Sequence, residues 1–167
     1  MVAEAVTVIG GANCPICVRG EPLDIVAELD ATWVTAGQEA PLPGYACVVS
    51  KRHVIEPFEL PAGESAQFWA DAMRVARVLC ELYEPTKLNY EIHGNTIPHL
   101  HMHLYPRFRG DPYEGGPIDP RRHSFQRERK ELDRLRRALA DITARRSNNS
   151  VTWPPVWPSD TLRSLQP

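Results

Sequence analysis

An α+β domain is the fold class this sequence predicts, and three observations carry it. Short segments rich in β-branched residues, bounded by Gly, Pro and polar turns, recur over the first two thirds of the chain. Between them Ala62 to Tyr83 repeats apolar residues at helical spacing, and a second, narrower stripe of that period lies toward the C-terminus. A length of 167 residues suits one core. Hydrophobic and charged fractions of 43% and 24% are ordinary for a globular domain, which excludes a disordered or fibrous class.

In chain order, residues 1–13 are weakly patterned and form an N-terminal arm, after which Cys14-Pro15-Ile16-Cys17 makes a tight knuckle-like turn. Leu23 to Leu29 and Thr32 to Thr35 read as strands, and Gly37 to Gly44 as a loop, because its prolines and glycines break regular structure. Tyr45 to Val49 follows as the third strand segment. The long helix Ala62 to Tyr83 aligns Phe68, Ala72 or Met73, Val75 or Ala76, Leu79 and Tyr83 on one side, with Pro85 closing it. Lys87 to Ile92 and His99 to Tyr105 are two adjoining strands joined through Gly94, Asn95 and Pro98. Glu128 to Ala144 places Leu132, Leu135, Leu139 and Ile142 on one stripe of a second helix. Residues 147–167 set Trp153 and Trp157 among prolines, a composition that favours an extended tail.

Charge narrows the partners. The net charge is -2, so broad attraction to a nucleic-acid backbone is not expected. Arg121, Arg122, Arg127, Arg129, Arg134, Arg136 and Arg137 crowd one stretch, but Glu128, Glu131, Asp133 and Asp141 interleave with them, which reads as a solvated helix face. No apolar run is long enough to cross a bilayer and no secretory core opens the chain, so a cytoplasmic protein with no membrane partner is expected. In that reducing compartment Cys47 and Cys80, alone in apolar segments, read as small core residues. The Cys14/Cys17 pair reads as half of a metal site or a redox pair.

The chemistry lies on the strand His99 to Tyr105. Side chains alternate along a strand, so His99, His101 and His103 share one face while Leu100, Met102 and Leu104 anchor the other. Three imidazoles there would repel if all were charged, which makes a plain solvated face a poor account of them. Two chemistries fit: a nucleophilic histidine, or a catalytic metal held by three histidines.

Asn89-Tyr90 followed by Gly94-Asn95-Thr96-Ile97-Pro98-His99-Leu100-His101-Met102-His103-Leu104-Tyr105-Pro106-Arg107 resembles the signature of the histidine triad (HIT) family, in its zinc-bearing bacterial branch. The resemblance is most specific over residues 86–109 and looser from Cys14 to Tyr83. It implies an antiparallel sheet of about five strands with one long helix against it, a catalytic domain over residues 14–146, and a homodimer. It also implies a hydrolase or phosphoramidase of nucleoside 5'-monophosphate derivatives, phosphoramidates or dinucleoside polyphosphates, cleaved at the α-phosphate. In that scheme His101 attacks phosphorus to form a covalent nucleotidyl-histidine, and His103 sits beside the phosphate and leaving group. Asn89, Asn95 and Thr96 occupy substrate-binding positions. Zinc-bearing relatives match His53 and His99 as ligands beside Cys14 and Cys17, a closed and therefore structural zinc site. The competing expectations are a metallohydrolase or cupin-like enzyme with its metal on His99, His101 and His103, and a non-enzymatic nucleotide-binding module.

Overall fold

The computed structural model describes residues 11–119, 121–122 and 125–144. Most of the expected arm and all of the tail, with Trp153 and Trp157, lie outside them. Seven strands and three α-helices follow in the order α1 (Pro15–Arg19), β1 (Ile25–Glu28), β2 (Thr32–Thr35), β3 (Glu39–Ala40), β4 (Ala46–Ser50), α2 (Ala62–Tyr83), β5 (Lys87–Glu91), β6 (His101–Arg107), β7 (Phe125–Gln126) and α3 (Arg129–Ala144). Five strands form one antiparallel sheet in the order β1-β2-β4-β6-β5, which is the predicted α+β architecture. Among the described residues no helix is long and apolar enough to cross a membrane.

The two faces of this sheet have different fates. Val34, Val48, Met102 and Leu104 point to α2, where Phe68, Ala72, Val75, Ala76 and Leu79 close the main core. α3 packs against β1 and α2 through Leu135, Leu139 and Ile142, all buried as their spacing predicts. Of the helix-face residues named from the sequence, Met73 is exposed, because Ala72 occupies the inward position beside it.

α2 also carries a buried anion. The carboxylate of Asp71, wholly inaccessible, accepts hydrogen bonds from the Ala31 amide and the Thr32 hydroxyl (both 3.1 Å) and from Gln67 Nε2 (2.8 Å), with Arg74 at 3.4 Å. A buried carboxylate is tolerated only when its lone pairs are filled in this way, so Asp71 staples the β1-β2 hairpin to the helix.

Three local expectations need correction. The catalytic strand begins at His101, not His99, because the His99 amide bonds back to Ile97 O (2.8 Å) and the Leu100 amide to Val54 O (2.7 Å). The stretch Gly37 to Gly44 is not all loop, since Glu39 and Ala40 pair with Gln126 and Phe125 in a second, two-stranded sheet. Arg127 does not belong to a solvated face: it is buried, its guanidinium donates to the carbonyls of Gly37 and Tyr45, and Glu131 lies 3.6 Å from its Nε. The strand pairing that buries Arg127 joins segments more than 80 residues apart, which no local pattern reveals.

Gly44 ends the loop with φ of +72°, and a Cβ there would meet the Tyr83 ring at 2.7 Å, so glycine is required both by backbone and by space.

Replacing Asp71 with alanine should destabilise the domain by about 3 kcal/mol in chemical denaturation, because the Ala31 amide and Thr32 hydroxyl lose a buried acceptor. The exposed Asp30→Ala should cost less than about 0.5 kcal/mol. Equal losses for the two variants would contradict the staple.

Candidate active site

The face of the sheet turned away from α2 is covered only in part. Ile16 and Cys14 of the N-terminal turn pack over Cys47 and Val49 of β4, flanked by Trp33, Tyr45 and Ile97. Pro15 opens α1, and Gly20 closes it in the left-handed region. The turn is drawn tight at Gly11, where a Cβ would meet Cys17 Sγ at 2.9 Å.

This turn brings both thiols against two imidazoles. Cys14 Sγ lies 3.4 Å from His99 Nδ1, Cys17 Sγ 3.3 Å from His53 Nδ1 and 3.6 Å from His99 Nδ1, and the two Nδ1 atoms are 3.3 Å apart. All four donors lie within 4.8 Å of one another. Ligand bonds of about 2.0–2.1 Å to nitrogen and about 2.3 Å to sulfur, at tetrahedral angles, give edges of roughly 3.3 Å and 3.6 Å. The four shortest spacings, from 3.3 to 3.6 Å, lie within about 0.3 Å of those edges. His99 is buried, and its Nε2–H donates to the Ser50 carbonyl at 2.7 Å, so Nδ1 carries the lone pair that faces the sulfurs. The set can therefore hold a tetrahedral N2S2 metal ion, and both ring nitrogens of His99 are committed. That removes His99 from any site shared with His101 and His103, against the three-histidine catalytic metal.

His101 and His103 line instead a cleft of about 900 Å³ together with the Gly94 to Thr96 turn and with Pro117, Ile118 and Asp119 at one end of the chain segment that follows β6. That end is held by Arg107, which donates twice to Asp111 (2.7 and 2.9 Å) and once to the Tyr113 carbonyl. His101 Nδ1–H donates to His99 O at 2.6 Å, so in the neutral ring the lone pair is on Nε2. The strand itself thus selects the tautomer with a free lone pair.

His103 is fixed differently. Its Nδ1 lies 2.7 Å from the Tyr45 hydroxyl, and burial holds the Tyr45 phenol well above its usual range, so the hydroxyl keeps its proton and, where Nε2 carries the ring proton, donates to Nδ1. Nε2–H is left as the outward donor. Burial, with His101 and His93 nearby, lowers the His103 pKa from 6.5 to about 4. The Tyr45 backbone is in turn gripped by Arg127.

The sequence-derived substrate positions divide. Asn95 and Thr96 line the cleft beside His101. Asn89 does not: on β5 it accepts from Lys87 Nζ (2.8 Å), donates to Glu91 Oε1 (3.3 Å) and lines a neighbouring cleft of about 650 Å³. Sequence reasoning missed Tyr45, Glu91 and His93. Tyr45 reaches His103 through strand pairing, which has no local signal, whereas Glu91 and His93 are two residues apart at the end of the motif and were visible as a pair.

The HIT domain family matches residues 19–110, more than half of the chain, and the chain belongs to that family. It is 32% identical over 75 residues to the bifunctional bis(5'-adenosyl)-triphosphatase/adenylylsulfatase of Arabidopsis thaliana, the matched part covering 42% of each chain. The chain thus spans about two fifths of the length of that relative. A histidine triad protein from Bradyrhizobium japonicum superposes with a TM-score of 0.61 at 26% identity, over 71% of this chain and 89% of that one. A zinc-bound histidine triad family protein from Mycobacterium smegmatis shares the fold with a TM-score of 0.59 at 24% identity, over 81% and 99% of the two chains.

The His103 imidazole should titrate in an NMR experiment with a midpoint near pH 4, not near 6.5. Between those values the unfolded chain binds a proton at this position that the folded chain refuses. The contribution of His103 to stability is therefore level above about pH 6.5 and declines as the pH falls toward about 4. His103→Gln should flatten that part of the stability curve; an unchanged slope would contradict the buried neutral imidazole.

Proposed function

We propose that this chain is a nucleotide hydrolase that cleaves nucleoside 5'-monophosphate derivatives at the α-phosphate through a covalent intermediate on His101. The observation that carries the reading is the His101 tautomer: with Nδ1–H tied to the His99 carbonyl, Nε2 is a neutral nucleophile facing a cleft. Neutrality matters because a phosphorus centre is shielded by its own anionic oxygens. Nε2 forms a bond to phosphorus as the bond to the leaving group breaks, and water then displaces the imidazole to release the nucleoside monophosphate. Nε2–H of His103 and the polar groups of Asn95 and Thr96 would donate to the phosphate oxygens in the transition state. The bis(5'-adenosyl)-triphosphatase activity of the Arabidopsis relative supports a dinucleoside polyphosphate, with a phosphoramidate as the variant of the same reaction in which nitrogen leaves.

The four donors Cys14, Cys17, His53 and His99 would hold zinc. With its coordination filled by protein the ion supplies cross-linking of the N-terminal turn to the catalytic strand, and no open position for substrate. The functional unit would run over residues 14–146 and act as a homodimer.

His101→Asn should remain folded and zinc-loaded yet lose at least ~10³-fold in turnover of diadenosine triphosphate. Denaturing quench of the active protein with radiolabelled nucleotide should leave label on His101. A variant with near-normal turnover, or one that loses its metal along with activity, would overturn the assignment.

A further inference from the structure

Displacement at phosphorus proceeds in line, so the leaving group departs, and water later enters, on the side away from His101. A leaving nitrogen must receive a proton in the first step, and water must lose one in the second. His103 is badly placed to move that proton: its Nδ1 is filled by the Tyr45 hydroxyl, and a neutral imidazole gives up its Nε2–H only with great difficulty. It orients and donates a hydrogen bond, and the proton needs another carrier.

Among the described residues, the cleft holds one more imidazole. His93 comes from the β5-β6 connection, not from the triad strand, and lines the cleft with its ring centroid 5.6 Å from that of His103. Its Nε2–H donates to Glu91 Oε2 at 2.9 Å, and the other oxygen of Glu91 accepts from Asn89 Nδ2 at 3.3 Å. A carboxylate so placed fixes the ring, and Nδ1 is left as the nitrogen that can exchange a proton. The pair is half exposed, as a group that must meet water and a leaving group requires.

We propose that His93, positioned by Glu91, is the acid-base residue of this site: Nδ1–H protonates the leaving group as the His101–phosphorus bond forms, and Nδ1 then takes a proton from the water that breaks it. After both steps His93 has its original proton and no co-reactant is consumed. This assignment rests on the covalent route of the preceding section. Asn89, outside the cleft, gains a role as support for the Glu91 carboxylate.

Two substrates separate the roles. Adenosine 5'-(p-nitrophenyl phosphate) has a leaving group that needs no proton, whereas adenosine 5'-phosphoramidate loses an amine that must leave protonated. In rapid-mixing experiments His93→Ala should keep the burst of p-nitrophenolate but slow steady turnover by about 10²-fold or more, with nucleotidyl-enzyme accumulating. Added imidazole should restore turnover in part, and Glu91→Gln should show a weaker form of the same defect. Unchanged turnover of both substrates by His93→Ala would overturn the proposal and leave the covalent route standing. So would a loss that is equal for the two substrates and is not rescued by imidazole. If no protein, the parent included, holds label, yet His93→Ala is impaired only on adenosine 5'-phosphoramidate, the covalent route fails while His93 keeps its role as leaving-group acid.

Discussion

Two thiols and two imidazole nitrogens held within 4.8 Å of one another impose the constraint on which the rest of this structure depends. They come from three places in the chain: the N-terminal turn, the segment after β4, and the approach to β6. Without a shared ion, two lone-pair nitrogens 3.3 Å apart would repel, and a thiolate pair beside them would be worse. On the proposed zinc assignment that repulsion becomes coordination, and folding and metal binding are one event. The consequence reaches the chemistry through a single carbonyl. With the ring of His99 held between the sulfurs and Ser50 O, its backbone oxygen is set where it can accept the Nδ1–H of His101, and the tautomer of the neutral His101 ring follows.

The sheet then serves two purposes because a strand has two faces. One face is a dry apolar layer against α2, and its rigidity keeps Met102 and Leu104 from shifting under load. The other presents His101 and His103 in register beside Tyr45 and Tyr105, whose stacked rings lie 4.9 Å apart. Arg127 clamps that arrangement from outside the matched family region, tying the β7-α3 segment to the Tyr45 carbonyl. Division of labour among three histidines is thus set by what each second nitrogen touches: sulfur and a carbonyl for His99, a carbonyl for His101, a phenol for His103.

Much of this was legible in the sequence, and the physical reason is period. The bounds of α2 and the stripe Leu135, Leu139 and Ile142 follow from spacing alone, since a helix must bury one side. The triad face followed from the alternation of a strand. What escaped was non-local or compensated: Asp71 sits as an acid in an apolar stripe and is stable only through partners on the β1-β2 hairpin, and Arg127 looks like its solvated neighbours until β7 pairs with β3. The start of the catalytic strand was missed because the amides of His99 and Leu100 are used by a turn and by Val54, a choice that depends on tertiary position.

X-ray absorption at the zinc edge tests most directly the proposal that zinc held by Cys14, Cys17, His53 and His99 ties down the site and leaves His101 free. Protein purified with its metal should give two sulfur scatterers at about 2.3 Å and two nitrogen scatterers at about 2.0–2.1 Å, with the same spectrum from His101→Asn. A shell of nitrogen and oxygen without sulfur, or a spectrum that changes when His101 is replaced, would place the metal in the chemistry and contradict the account.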